Sequence, residues 1–203
     1  MATTVELPRP ETKGKMSLEE AIARRRSVRS FAPKPLTLQQ VSQIMWCAQS
    51  VTDADGMKRA SPSAGATYPM EIFIAVGEGT VTGLGCGVYQ YVPDKHALVR
   101  RTDKDVRARV AAAALGQRFL AEAPLDVLMA ADYKRTTGRY RERGVRYVHM
   151  EAGHIGENIY LQAEALGLGT VAVGAFEDDA VGEAFGLPKG LEAVYMMPVG
   201  LAR

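Results

Sequence analysis

Apolar positions recur at helical spacing in two long stretches of the chain and collect into short β-branched or aromatic runs in several others. Ser17-Leu18-Glu19-Glu20 has the spacing of a capping box, which predicts a short helix to about Arg26. Pro33 and Pro35 break the chain. Thr37-Leu38-Gln39-Gln40 then repeats the capping pattern ahead of Val41, Ile44, Met45 and Ala48, predicting a second helix to about Ser50. Residues 71–76 (EIFIAV), 87–92 (GVYQYV) and 124–131 (PLDVLMAA) read as strands, the last buried on both faces, and 103–115 as a helix between them. Residues 146–166 carry the longest helical pattern, predicted to cross the core and to stop at Gly167-Leu168-Gly169. Strands over 170–173 and 191–199, separated by a helix over 178–185, complete the chain. Helices and strands mix without the regular alternation of a doubly wound sheet, so the fold class is α+β.

The chain has 203 residues, which is one domain of ordinary size. With Pro8, Pro10 and little apolar content, residues 1–15 read as an extended arm, and 16–203 as the single domain. Hydrophobic residues at 47% and charged residues at 24% allow a real core. The 25 cationic and 23 acidic side chains leave +2, too weak a balance to imply a nucleic-acid partner. The first 15 residues have no apolar segment of a secretory signal, and no run is long enough to span a membrane. Cys47 and Cys86 are too few for a disulfide framework and fall in no C-x-x-C, which suits a cytoplasmic protein.

Several constellations bear on chemistry. Arg24-Arg25-Arg26-Ser27-Val28-Arg29 is the densest charge cluster. On a continuing helix at about 100° per residue, Arg25, Arg26 and Arg29 fall close to one face. Such a face either ends a solvated helix, where the dipole welcomes cations, or converges on a phosphate or carboxylate. Residues 52–69 form a long loop. Within it, the small residues of 61–66 (SPSAGA) make either a turn or a surface that a flat ligand can approach closely. His149 and His154 are five apart, so they sit about 140° apart on a helix and miss the i, i+4 zinc pattern. They read as network histidines, and no metal is expected. Gly83-Leu84-Gly85-Cys86-Gly87 is not a dinucleotide-binding turn, and phosphate-loop and nucleophile-elbow motifs are missing. With so few acid, base or nucleophile candidates, a cofactor is expected to carry any redox chemistry.

Taken together, RRRSVRSF at 24–31, RASPSAGATYPMEIFIA at 59–75, RYVHMEAGHIGENIYLQAEALGLGTVAVGAF at 146–176 and PVG at 198–200 resemble the nitroreductase family of FMN-dependent oxidoreductases, closest to its SagB-type dehydrogenase branch. The resemblance implies a mixed central sheet wrapped by helices, and an intertwined homodimer with two FMN sites at the interface. It implies that Arg25, Arg26, Ser27 and Arg29 bind the FMN phosphate and the polar edge of the flavin. Pro62, Ser63, Ala64 and Gly65 would reach the flavin of the other subunit, and Gly174 and Ala175 would form the turn behind the isoalloxazine ring. Arg203 falls near the position of a C-terminal basic phosphate ligand in many members.

The chemistry the resemblance implies is ping-pong hydride transfer from NADH or NADPH, through flavin N5, to a small electron-poor acceptor such as a nitroaromatic, quinone or activated alkene. Two alternatives stand beside it: SagB-type oxidation of peptide azolines to azoles, and a non-catalytic flavin-binding protein. Azoline-oxidising members generally carry Lys-Tyr where this chain has Arg139-Tyr140. A guanidinium is a poor base, so Arg139 and Tyr140 are expected on the substrate side, binding an acceptor group and stacking beside it or donating a proton.

Overall fold

The computed structural model describes residues 3–203. Its centre is a seven-stranded sheet in the order β1-β6-β5-β3-β7-β9-β8. These strands are β1 (Thr4–Glu6), β3 (Met70–Val76), β5 (Gly87–Val92), β6 (Ala97–Thr102), β7 (Leu125–Ala131), β8 (Gly169–Thr170) and β9 (Glu192–Gly200). Every pairing among them is antiparallel. The expected mixed sheet is therefore corrected. Among the described residues, parallel pairing is confined to the two-residue strands β2 (Leu36–Thr37) and β4 (Val81–Thr82) and to an isolated bridge between Ser27 and Thr170.

Alternation along the strands explains why helices cover both faces. From β3, Ile72, Ile74 and Val76 point to one side and Phe73 and Ala75 to the other. The first side packs on Val41, Ile44, Met45 and Ala48 of α2 (Leu38–Gln49) and on Val148, Ala152, Ile155, Ile159 and Ala163 of α6 (Arg143–Ala165). The second packs on α3 (Arg107–Ala113), α4 (Phe119–Glu122) and α7 (Asp178–Phe185), through Val110, Leu120, Val181 and Phe185. Truncating a fully buried residue such as Ile155 to alanine would cost about 2–5 kcal/mol. Two further helices, α1 (Leu18–Arg24) and α5 (Tyr133–Tyr140), flank α6.

Capping sets the helix starts. Ser17 Oγ accepts the Glu20 N–H at α1, and Thr37 with Gln40 forms the full reciprocal box at α2. Helix α7 and strand β5 occupy the residues their patterns predict, and α6 begins three residues earlier than its pattern. Other expectations need correction. Helix α1 stops at Arg24 instead of Arg26, because Ser27 and Val28 leave to pair with Thr170. The strand expected over 170–173 is reduced to β8 and a bridge from Val173 to Met196. Residues 4–6 of the N-terminal arm form the sheet edge against β6, and Leu7 is part of the core. Ser42 donates to the Pro8 carbonyl, and the Glu11 N–H donates to the Gln43 side chain. The arm thus packs on its own chain. Among the described residues no helix is long and apolar enough to cross a membrane.

Candidate active site

Arg24, the last residue of α1, is held by Glu20 and Glu164, each at 3.0 Å. Beyond it Arg25 turns into extended backbone, so Arg25, Arg26 and Arg29 do not share a helix face as the spacing suggested. Residues 27–32 run instead between β8 and the C-terminus. The Val28 N–H donates to the Thr170 carbonyl at 2.9 Å, and the Arg203 N–H donates to the Ser30 carbonyl at 3.1 Å. Close approach here requires a glycine, since a Cβ at Gly169 would lie 2.8 Å from the Val28 side chain. The C-terminal pairing carries Arg203 to the segment holding Arg29.

Tyr160 of α6 ties this segment to the turn at 172–175. Its hydroxyl is 3.0 Å from Ser27 Oγ and accepts the Ala172 N–H at 2.8 Å, while the Arg25 guanidinium lies 5.1 Å from its ring centre. Gly174 and Ala175 follow, both exposed. The Tyr195 ring packs behind Gly174 and also against Gly156 of α6. A bulge between β7 and β9 turns Tyr195 to this position, and burial together with nearby Tyr160 raises its phenol pKa. The structure therefore joins Arg25, Ser27 and the turn leading to Gly174 and Ala175 at Tyr160 of α6, with Arg29 and Arg203 on the paired segment beyond, while the Arg26 guanidinium turns back to the Ala23 and Arg25 carbonyls.

Pro62, Ser63, Ala64 and Gly65 lie on the other flank. Asn158 donates to the carbonyls of Cys47 and Ala60 and to Ser61 Oγ. His154 Nδ1 is 3.3 Å from the Pro62 carbonyl. Glu151, 2% exposed, accepts from Gln49, and its carboxyl pKa is raised by burial, against the opposing influence of Ser63 and Gln49. Residues 151, 154 and 158 line one side of α6 and clamp the loop. Gly65 takes left-handed backbone, φ +59°, and a Cβ there would come within 2.7 Å of the Arg139 guanidinium. Arg139 donates to the Gly65 carbonyl at 3.1 Å and lies over the Tyr140 ring, which packs edge-on against Tyr147. Arg139 and Tyr140 thus join the 62–65 group.

Around α6, His154 and Tyr160 are about 120° apart, with about 9 Å between them along the axis. The arginine segment and the 62–65 loop thus meet α6 on different sides. A cleft of about 770 Å³, walled by residues 11–18, α1, α2 and α6, borders the loop through Arg59, Ala60 and Asn158. Its walls include Trp46 and Leu161 but none of Arg25, Arg26, Ser27 or Arg29. The histidines are network residues: His149 pairs with the Tyr133 hydroxyl at 2.8 Å. Among the described residues no cluster of potential ligands could hold a metal ion.

Sequence reasoning singled out neither Tyr160, Tyr195 nor Asn158. Tyr160 and Asn158 stand within the long helical pattern, where a polar tip on a flank breaks the apolar period and is the only available signal.

A profile of the Nitroreductase family matches residues 22–201. A protein of Methanocaldococcus jannaschii described as a nitroreductase is 46% identical over 200 residues, spanning 98% of each chain. The microcin B17-processing protein of Escherichia coli is 27% identical over 155 residues, 75% of this chain and 57% of its own. The crystal structure of a nitroreductase from Ralstonia eutropha superposes with a TM-score of 0.85 at 28% identity, covering 98% of this chain and 90% of that one. With its family profile, its relatives and its α+β fold in agreement, this chain belongs to the nitroreductase family of oxidoreductases.

Proposed function

We propose that the protein is an FMN-dependent oxidoreductase that takes electrons from NADH or NADPH and passes them to a small electron-poor acceptor. The observation that supports this reading is the Arg25-to-Arg29 segment, with Arg25 and Ser27 at Tyr160 and Arg203 paired onto the same segment. Exposed or half-buried arginines on one segment suit a phosphate monoester, which matches their forked donors. The fit extends to the turn that follows, where exposed, small Gly174 and Ala175 leave room for a flat ring above Tyr195. When bound, FMN supplies a flavin N5 that accepts and returns a hydride.

The chain's own residues have assigned tasks. Arg25, Arg26, Arg29 and Arg203 neutralise the phosphate, and Ser27 holds the polar flavin edge with Tyr160 fixing its hydroxyl. A backbone amide of the 174–175 turn would hold the flavin near its N5, where it would stabilise developing negative charge without side-chain reorganisation. Pro62, Ser63, Ala64 and Gly65 serve the partner subunit's flavin in a homodimer, since they stand on the far flank of α6 from the arginines. Arg139 and Tyr140 accompany them, Arg139 binding a polar or anionic acceptor group and Tyr140 offering a ring and a hydroxyl. Cys47 and Cys86, both unpaired, suit a reducing cytoplasm.

The likeness to a microcin B17-processing protein favours a second reading, oxidation of peptide azolines. That reaction needs a base as hydride departs, and a guanidinium, unlike an amine, is a poor base. Assays offering the purified protein NAD(P)H with a quinone or nitroarene, and separately a thiazoline peptide with an electron acceptor, decide between them. Efficient thiazole formation would replace the first reading by the second.

A further inference from the structure

Arg24, Arg107 and Arg135 each have a carboxylate partner. At the corner between α5 and α6 stand four exposed arginines, Arg139, Arg141, Arg143 and Arg146, and among the described residues none has a carboxylate within 4.0 Å. Arg143 and Arg146 run against the helix dipole, whereas Arg139 and Arg141 end α5, where the dipole favours a cation. Arg143 opens α6, a helix of 23 residues with no acidic residue in its first turn and an N-cap, Glu142, that makes no side-chain cap bond, and Arg146 stands one turn on. The positive end of a helix disfavours cations. Glu19 and Glu20 open α1 and Asp178 and Asp179 open α7, while Arg107 at the start of α3 and Arg135 in α5 are paired with Asp105 and with Glu71 and Asp132.

Side-chain packing makes the corner a surface and not a scatter of free charges. Tyr140 and Tyr147 pack edge-on with ring centres 5.1 Å apart, fixing the end of α5 on α6. Arg139 lies 5.4 Å over the Tyr140 ring. Arg143 precedes Tyr147 by one helical turn and shares its side of α6. Through Arg139 and the Gly65 carbonyl, the corner adjoins the 62–65 segment.

We propose that this corner binds the phosphates of the electron donor and selects NADPH over NADH through the 2′-phosphate. The proposal rests on the oxidoreductase reading above. NADH carries only its pyrophosphate, with one negative charge on each phosphate. NADPH adds a monoester that is close to dianionic at neutral pH, the form that guanidinium forks bind best. Four arginines without a carboxylate partner among the described residues, two of them at the positive end of α6, match the larger charge.

The test uses the flavin-loaded protein and two probes that differ in one group, adenosine 2′,5′-bisphosphate and 5′-AMP, titrated by calorimetry at low ionic strength. The bisphosphate should bind at least about tenfold more tightly, with the difference shrinking as salt rises. In the double variant Arg141→Gln/Arg143→Gln, whose exposed positions leave the core intact, the preference should fall to about twofold or less. Steady-state kinetics should show the same change in the NADPH-to-NADH ratio of kcat/KM. Equal binding of the two probes by the wild-type protein, or a preference unchanged in the folded double variant, overturns the proposal. A flavin that neither donor reduces, in a protein that still prefers the bisphosphate, would instead overturn the oxidoreductase reading and leave the anion site standing.

Discussion

Ser27 Oγ and the hydroxyl of Tyr160 lie 3.0 Å apart, and the same hydroxyl accepts the Ala172 N–H at 2.8 Å. One side chain of α6 thereby fixes both the arginine segment and the turn leading to Gly174. Replacing Tyr160 with phenylalanine keeps the ring under Arg25 and removes the bridge. At about 0.5–1.5 kcal/mol for a neutral hydrogen bond, FMN affinity should fall several-fold, with little change in melting temperature. Fluorescence titration of the apoprotein with FMN measures it, and an unchanged affinity would remove Tyr160 from the site.

The arginines should separate into two kinds. Arg29→Ala should weaken FMN binding by about 1.5–3 kcal/mol, the worth of a hydrogen bond to a charged group, with a loss that diminishes at high salt. Arg24→Ala should leave FMN affinity unaltered, because Arg24 is occupied by Glu20 and Glu164. Parallel titrations of the two variants check the distinction, and equal losses would contradict it.

Asp126 gives a pH-dependent stability. Its carboxyl is fully buried on β7, and neither oxygen has a hydrogen-bond partner among the described residues. Burial raises its pKa well above the usual value, Asp105 adds to the rise, and Arg107 opposes it. A carboxyl with a raised folded pKa is most favourable to the fold below its unfolded pKa, near 3.8, and loses that contribution as pH climbs towards the folded value. Asp126→Asn, neutral throughout, should therefore melt above the wild type at pH 8, with the gap narrowing towards pH 4. For a domain of this size each 1 kcal/mol moves the melting temperature by roughly 2–4 °C. Calorimetric melts across that range test it, and a gap that widened on acidification would contradict the assignment.

How far the sequence was legible depended on whether local pattern or distant pairing decided each element. Helices α2 and α7 and strand β5 carry their own caps or apolar runs, and they stand where the pattern puts them. Helix α5 (YKRTTGRY) has no apolar period and forms on the Asp132 cap and its packing against α6, so its pattern was silent. Strand β1 is an edge element whose partner β6 is distant in the chain, and β6, paired on both sides, follows β5 through a turn at 93–96. The arginine cluster was visible as composition, but its shape was not. Helical spacing implied one face, whereas pairing of residues 27–32 with Thr170 and the C-terminus lays the segment out flat and brings Arg203 beside it. No local rule reveals such a contact across 140 residues or more, and the same holds for the clamp that Glu151, His154 and Asn158 place on the 60–63 loop.

The most direct measurement is anaerobic absorbance of the purified protein, loaded with FMN, as NADPH or NADH is added. A bound flavin that is released as FMN on denaturation, bleaches with the nicotinamide donor and regains its colour with one equivalent of a quinone is the predicted result. A protein that binds no FMN after reconstitution, or whose bound flavin stays oxidised with both donors, would contradict the account.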